Sequence, residues 1–529
     1  MGKKERPQIP AGRTQLPLGK KERPKISDTA KGELMKEKIK NHIKEHKIIY
    51  SALLILFCFS GLILSFNKIE LTDELFTFAN TYKLHNGVSL YSENNVIDTP
   101  LFFYIGNIFL SVLGTNFFAY KIYGIVIFEV IFLIALNILR KLKVPTGRAV
   151  VYILLILLPF TKTLFVNGAN YSTLALLFWL LGMNFVIKKN KFEVKPIQQG
   201  IISALVFATK QNIGVYYLIA ITLFTIYNYR KEIKTILKKL VSTYIIFVLI
   251  TAIWCIILIF QGQFIDFINY CVLGIGEFAQ NHFDFQDWRI ILYAIPVITL
   301  VGLIIANRKY GISLETKNMR VTIFFLCFMF PSLLIGYPIF NIYHIELAMV
   351  VSMIYCMYMV EQFIIYTKEV FLVKPVKIVI IGYIGFVLLI NAFYMGSTII
   401  KGSYKTDYDN PYFGMLATEE MKNKINEIVN FVELKEEKNQ KVIIFSEEAN
   451  IYQIVLGKNY QDLDLPLLGN WGYNGEERVL NKIMGLRDSF ILIKDTSRTN
   501  QESEKIKQYI KNNYNRTGEI QGFEIYYIE

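Results

Sequence analysis

The 529-residue chain is 53% hydrophobic and 19% charged, with a mean hydropathy of +0.36. Soluble domains carry about 25% charged residues, so an ordinary soluble protein is excluded. The formal net charge is +14, and its spread is uneven: residues 1–47 hold 14 Lys/Arg against 6 Asp/Glu, whereas residues 400–529 hold 17 against 21. The remaining basic residues sit mostly in short loops beside apolar runs. That is the positive-inside pattern of membrane proteins, not the basic face of a nucleic-acid binder, so no nucleic-acid partner is expected.

Residues 1–47 are polar, Lys-rich and Pro-rich, and the string GKKERP occurs twice, at 2–7 and 19–24. This reads as a disordered cytoplasmic tail near anionic lipid. It is no signal peptide, because the apolar run that follows is too long and lacks a small-residue cleavage site. Residues 31–47 suit an amphipathic helix on the membrane surface.

The first span is expected near 48–66, which places the loop 67–98 outside. The basic loop at Arg140–Lys143 belongs inside, so an odd number of crossings must fit between 99 and 139. Two apolar runs lie there, separated at 114–116; one is read as a full span and the other as a partial or interfacial helix. Further spans are expected near 149–165, 170–187, 197–209, 211–229, 240–260, 288–306, 320–337, 343–366 and 378–397. Each approaches the roughly 20 residues that cross ~30 Å of hydrocarbon, although 197–209 is short. About eleven transmembrane helices result, in a domain over 48–399.

Residues 400–529 then fall outside the cell. Apolar runs at 442–445 and 490–493 read as strands, 476–486 and 502–512 as amphipathic helices, and 519–528 as a strand or hairpin. The expected fold is a polytopic α-helical membrane protein with a small extracytoplasmic α/β domain at its C-terminus. Trp471 lies in a Gly-punctuated loop, where it either packs or stacks on a sugar.

The five cysteines, Cys58, Cys255, Cys271, Cys327 and Cys356, form no CxxC or Cys/His cluster. A disulfide framework and a thiolate metal site are therefore not expected. The abundance of Lys, Ile and Asn fits an AT-rich bacterial genome.

The loop after the first span carries the most chemistry. It reads Leu71-Thr72-Asp73-Glu74, then a helix ending at Asn86-Gly87, then Leu90-Tyr91 and Asp98-Thr99-Pro100. Two acids at a helix start complement its positive end. Alone, that is sufficient reason for them. The order of landmarks, however, resembles the first outer loop of GT-C membrane glycosyltransferases, in the branch of protein O-mannosyltransferases and lipid A aminoarabinose transferases. Residues 200–211, ending in Lys210-Gln211, and 336–344, ending in Tyr343-His344, are similar to further outer segments of that family.

The resemblance implies an inverting transfer of a sugar from a polyprenyl-phosphate donor to a hydroxyl of a cell-surface glycan, lipid or protein. It makes Asp73 the catalytic base, with Glu74 orienting it or touching the acceptor. Lys210, His344 and Tyr343 become candidates for binding the donor phosphate. Lys210 alternatively snorkels to the interface, and His344 is alternatively an ordinary interfacial residue. In the loop 261–288, Asp284, Asp287 and Trp288 are candidates for contacting acceptor or lipid, or are solvated.

The sequence departs from the family in two places. Asp98-Thr99 precede Pro100 where some members carry a phosphate-binding Lys, and the second outer loop, 166–170, lacks a carboxylate. No metal or other cofactor is therefore expected. Two other readings stay open. One is a lipid or glycan transporter or flippase, for which Glu129 within an apolar run is the clearest acid. The other is a scaffold that presents the tail.

Overall fold

Helix boundaries in this chain follow short polar signals that interrupt long apolar runs. The computed structural model describes residues 51, 73–153, 169–188, 191–281, 288–367, 407, 409–415, 418–459, 465–495 and 502–529. The expected spans at 48–66 and 378–397, much of 149–165, and the N-terminal tail lie outside the described residues, as do Asp284 and Asp287.

Helix α1 (Asp73–His85) opens on two acids and closes on Lys83 and His85, matching both ends of its dipole. Gly87, at φ 87°, reverses the chain after it. Helix α2 (Leu101–Leu113) starts behind Pro100 and stops at Gly114, φ 104°. Helix α3 (Phe117–Lys141) begins at Asn116, whose side chain accepts the Ala119 N–H at 3.0 Å. At 25 residues α3 is long and apolar enough to cross a membrane, whereas α2 has 13 residues.

Helices α4 (Tyr171–Val186), α5 (Pro196–Thr209), α6 (Gln211–Asn228) and α7 (Ile233–Phe260) follow, and Lys210 alone joins α5 to α6. Short α8 (Phe264–Ile268), a π-turn (Asn269–Leu273) and α9 (Gly274–Asn281) lead to the 3₁₀ turn Trp288–Tyr293 and α10 (Ala294–Tyr310). Helices α11 (Lys317–Leu333) and α12 (Ile342–Thr367) complete the described bundle.

Among the described residues, five helices are long and apolar enough to cross a membrane: Phe117–Lys141, Ile233–Phe260, Trp288–Tyr310, Lys317–Gly336 and Ile342–Ile365. Those around α7 and α10 expose apolar side chains such as Val241, Val248, Ile253, Ile298 and Ile304, as a lipid-facing surface does.

Close approach of the inner helices depends on missing side chains, as is usual between helices in lipid. A Cβ on Gly200 of α5 would lie 2.8 Å from the Thr243 carbonyl oxygen of α7, and one on Gly214 would lie 2.4 Å from the Phe207 Cα. Between α4, α5 and α6, Gln199 accepts from the Tyr217 hydroxyl at 2.5 Å and donates to the Gly182 carbonyl at 3.3 Å.

The tail contains α13 (Glu419–Glu436), β1 (Lys441–Phe445), α14 (Ala449–Leu456), α15 (Gly475–Met484), β2 (Ser489–Ile493), α16 (Glu504–Asn513), β3 (Asn515–Ile520) and β4 (Phe523–Ile528). The sheet order is β1-β2-β4-β3, with β1 parallel to β2 and the other pairs antiparallel. The β3–β4 hairpin turns through Gln521-Gly522, both at positive φ, as two-residue hairpins favour. The apolar runs seen in the sequence are β1 and β2, and the final segment is the hairpin. Trp471 is buried and stacks on Phe445 in the tail's core, which is the packing role.

Residues 52–529 form one compact unit, and the tail docks on the helices. Phe76 of α1 packs with Leu465 and Leu467. The Phe117 and Phe118 amides donate to the Pro411 and Phe413 carbonyls at 2.8 and 2.9 Å. The buried Lys83 ammonium donates to Asn450 at 3.1 Å and to Gln453 at 2.9 Å.

Hydrogen bonds to a charged group contribute about 1.5–3 kcal/mol. Lys83→Met is therefore expected to lower the melting temperature in detergent and to speed proteolytic release of the tail. Wild-type proteolysis rates for this variant would show that the tail is held by other contacts.

Candidate functional site

Seven separated stretches of the sequence meet at one cavity of about 130 Å³. Asp73 and Phe76 come from the first turn of α1, Ile97 and Asp98 from the loop before Pro100, and Asn170 and Tyr171 from the start of α4. The α5–α6 junction supplies Lys210, Gln211 and Asn212, the turn before α12 supplies Tyr337 and Pro338, and the first turn of α12 supplies His344. Phe278 of α9 and Leu465, Leu467 and Asn470 of the tail close the remaining wall.

Local structure explains why each group points there. Asn170 caps α4 by accepting the Ser172 N–H at 2.8 Å. Lys210 cannot continue either helix, since its backbone is extended at φ −154°, and its side chain turns at the junction towards the start of α4. Its ammonium donates to Ser172 Oγ at 2.8 Å and stands 4.4 Å from the centre of the Tyr171 ring. Burial lowers the Lys210 pKa, and the charges of Asp98 and Asp73 oppose that shift.

Asp98 is held by its backbone. Its carbonyl accepts from the Tyr91 hydroxyl at 2.9 Å, and the neighbouring Ile97 carbonyl accepts from Gln211 at 2.9 Å. Its Oδ2 is buried without a hydrogen-bond partner among the described residues. Burial pushes the carboxyl up to about 7; Lys210 opposes the shift and Asp73 adds to it.

His344 lies in the first turn of α12, behind Asn341. The Asn341 Oδ1 accepts both the His344 backbone N–H at 3.0 Å and ring Nδ1–H at 2.9 Å. An amide oxygen can only accept, so Nδ1 carries the proton in this arrangement.

Asp73, Lys210 and His344 thus share one cavity. Glu74 does not line it: its carboxylate is buried and ion-paired with Lys121 of α3, because the residue after Asp73 faces the helix interior. Nor does Tyr343, whose hydroxyl turns towards α4 and meets Thr173 at 2.9 Å. Trp288 is 75% exposed and also lies apart from the cavity. Asp284 and Asp287 fall outside the described residues. Among the described residues, no group of three or more His, Cys, Asp or Glu could hold a metal ion.

Asp98 was visible in the sequence only as a departure from a family pattern, and its place before Pro100 was the one signal available. Asn170, Gln211 and the tail residues gave no signal, because nothing local distinguishes them from caps and loops. No protein-family model matches the chain, and no curated protein matches it.

A raised carboxyl pKa has a definite effect on stability. Below about pH 4 Asp98 is protonated in both the folded and unfolded states. Between there and about pH 7 the unfolded carboxyl ionises while the folded one stays protonated, so its contribution to stability falls as pH rises. Asp98→Asn should therefore match wild type near pH 4 and melt at a progressively higher temperature up to pH 7 and above. A melting-temperature difference that does not vary with pH would contradict this assignment.

Proposed function

We propose that the chain is an inverting glycosyltransferase that moves a sugar from polyprenyl phosphate to an acceptor hydroxyl on the outer face of the membrane. The observation that carries this reading is the meeting of the Asp73 carboxylate, the Lys210 ammonium and His344 in one cavity. Sequence resemblance to GT-C enzymes had singled out these three residues from widely separated positions.

The sidedness follows from charge. Helix α3 ends in Arg140-Lys141, α10 ends in Arg308-Lys309, and α11 begins at Lys317. The positive-inside bias puts those ends in the cytoplasm. The cavity takes residues from the start of α4 and from the turn that follows the far end of α11, which supports an outside position for it and for the tail.

In the reaction the acceptor oxygen attacks the anomeric carbon from the side opposite the phosphate. The hydroxyl proton passes to Asp73, the carbon–oxygen bond to phosphate breaks, and the phosphate leaves with the electron pair. Attack from the opposite side inverts the configuration. A positioned base contributes typically 10²–10⁴-fold. Lys210 stabilises the charge gathering on the phosphate, a contribution of the order of 10²–10³-fold for one preorganised donor. With Nδ1–H committed to Asn341, His344 donates to phosphate through Nε2 only as the imidazolium.

Glu129 favours a second reading, a lipid or glycan transporter. It is an acid in the middle of α3 whose buried Oε1 has no hydrogen-bond partner among the described residues. That reading predicts lipid movement across proteoliposomes without sugar transfer, lost in Glu129→Gln.

The enzyme reading is tested by assaying turnover of polyprenyl-phosphate sugars in proteoliposomes. Asp73→Asn should reduce kcat at least about 10²-fold with the melting temperature retained, and Lys210→Gln should reduce it by a similar factor. Full turnover in Asp73→Asn would remove Asp73 as the base.

A further inference from the structure

A second cavity, of about 150 Å³, lies where α3 and α4 end and α11 begins. Lys141, Lys188, Lys191, Lys317 and Arg320 line it, with Glu315 as the one acid among the described lining residues. Helix α4 separates it from the first cavity. Tyr171 at the start of α4 lines the first, and Lys188 just beyond its end lines the second. Sixteen residues of helix span about 24 Å at 1.5 Å per residue, so the two sites are distinct.

Among the described residues, four of the five cations of this cavity have no carboxylate partner. Glu315 is shared between Arg230 and Lys231. Lys141 donates to the Asn184 carbonyl at 2.5 Å and Arg320 to Asn228 Oδ1 at 3.2 Å, both uncharged acceptors. Lys191 makes only a long, exposed contact with Glu193, at 3.8 Å. Among the described residues, no carboxylate pairs with Lys141, Lys188, Lys317 or Arg320. Like charges face each other instead: Lys188 acts on Lys141, and Lys143 acts on Lys317.

The positive-inside bias calls for basic residues at this end of the helices. It does not call for the convergence of five of them on a concave wall with one carboxylate, itself paired with Arg230 and Lys231. Helix α11 adds to the positive potential. Its N-cap, Thr316, makes no side-chain cap, so the first backbone N–H groups of a 17-residue helix are left for another acceptor. Leu142, Ile187, Phe192 and Val321 supply an apolar flank.

We propose that this cavity binds a phosphate-bearing anion, held by Lys141, Lys188, Lys317 and Arg320. The same chemistry is offered by an anionic lipid headgroup and by soluble phosphate. The volume is several times the ~30 Å³ share of one water in the liquid, which leaves room for a phosphate group.

The test uses the full-length protein in detergent and measures melting temperature against added ligand at constant ionic strength. One arm titrates short-chain phosphatidic acid, with phosphatidylcholine as the zwitterionic control. The other titrates inorganic phosphate and pyrophosphate against chloride. Saturable stabilisation in the first arm alone assigns the site to lipid, and stabilisation in the second assigns it to the soluble anion; either supports the proposal. The double variant Lys188→Gln/Lys317→Gln removes two side chains that lack a partner among the described residues, so folding should be retained. It should weaken binding at least tenfold, while Lys210→Met, which alters only the first cavity, should leave binding intact. No stabilisation by any phosphate compound, or binding that survives the double variant and is lost in Lys210→Met, would overturn the proposal.

Discussion

Helix α1 is buried along most of its length, and most of its buried polar side chains have internal partners. Thr77 and Thr81 return their hydroxyls to the carbonyls of Asp73 and Thr77, and Asn80 donates to Phe76. Glu74 is paired with Lys121, and Lys83 reaches Asn450 and Gln453 in the tail. An uncompensated buried charge costs several kcal/mol, so these pairings fix how the helix is rotated. That rotation sends Glu74 into the bundle and leaves Asp73, one residue earlier, at the cavity.

The cavity inherits its electrostatics from the same burial. Asp98, Asp73 and Lys210 interact without Lys210 closing an ion pair on Asp98, and the low-polarity surroundings raise one pKa while lowering the other. Such opposed shifts in one cleft are what acid–base and charge-stabilising chemistry needs. The tail contributes through Leu465, Leu467 and Asn470, which cover the side of the cavity away from the helices. Its sheet is thus a support for one wall and not a detached module.

The two ends of the bundle are chemically unlike. One gathers two carboxylates, a lysine and a histidine around a partly enclosed space, and the other gathers cations around a concave wall. Helix α4 reaches both, so its length sets the separation.

Much of the architecture was legible in residues alone. Apolar run lengths marked the helices, because a helix in lipid must satisfy its own backbone and cover itself with apolar side chains. The runs at 442–445 and 490–493 marked strands for a related reason: both faces are buried. The Asp73-Glu74 pair, Lys210 and His344 stood out because ionisable groups are scarce in such a chain. What the residues could not decide was the direction in which each side chain points. Adjacent acids diverge by about 100° on a helix, so only the packing of α1 against α3 and the tail separated Asp73 from Glu74. Asp98 became a site group through burial, and Trp471 a core residue through its stacking on Phe445. Both depend on contacts between residues far apart in the chain, which local pattern does not encode.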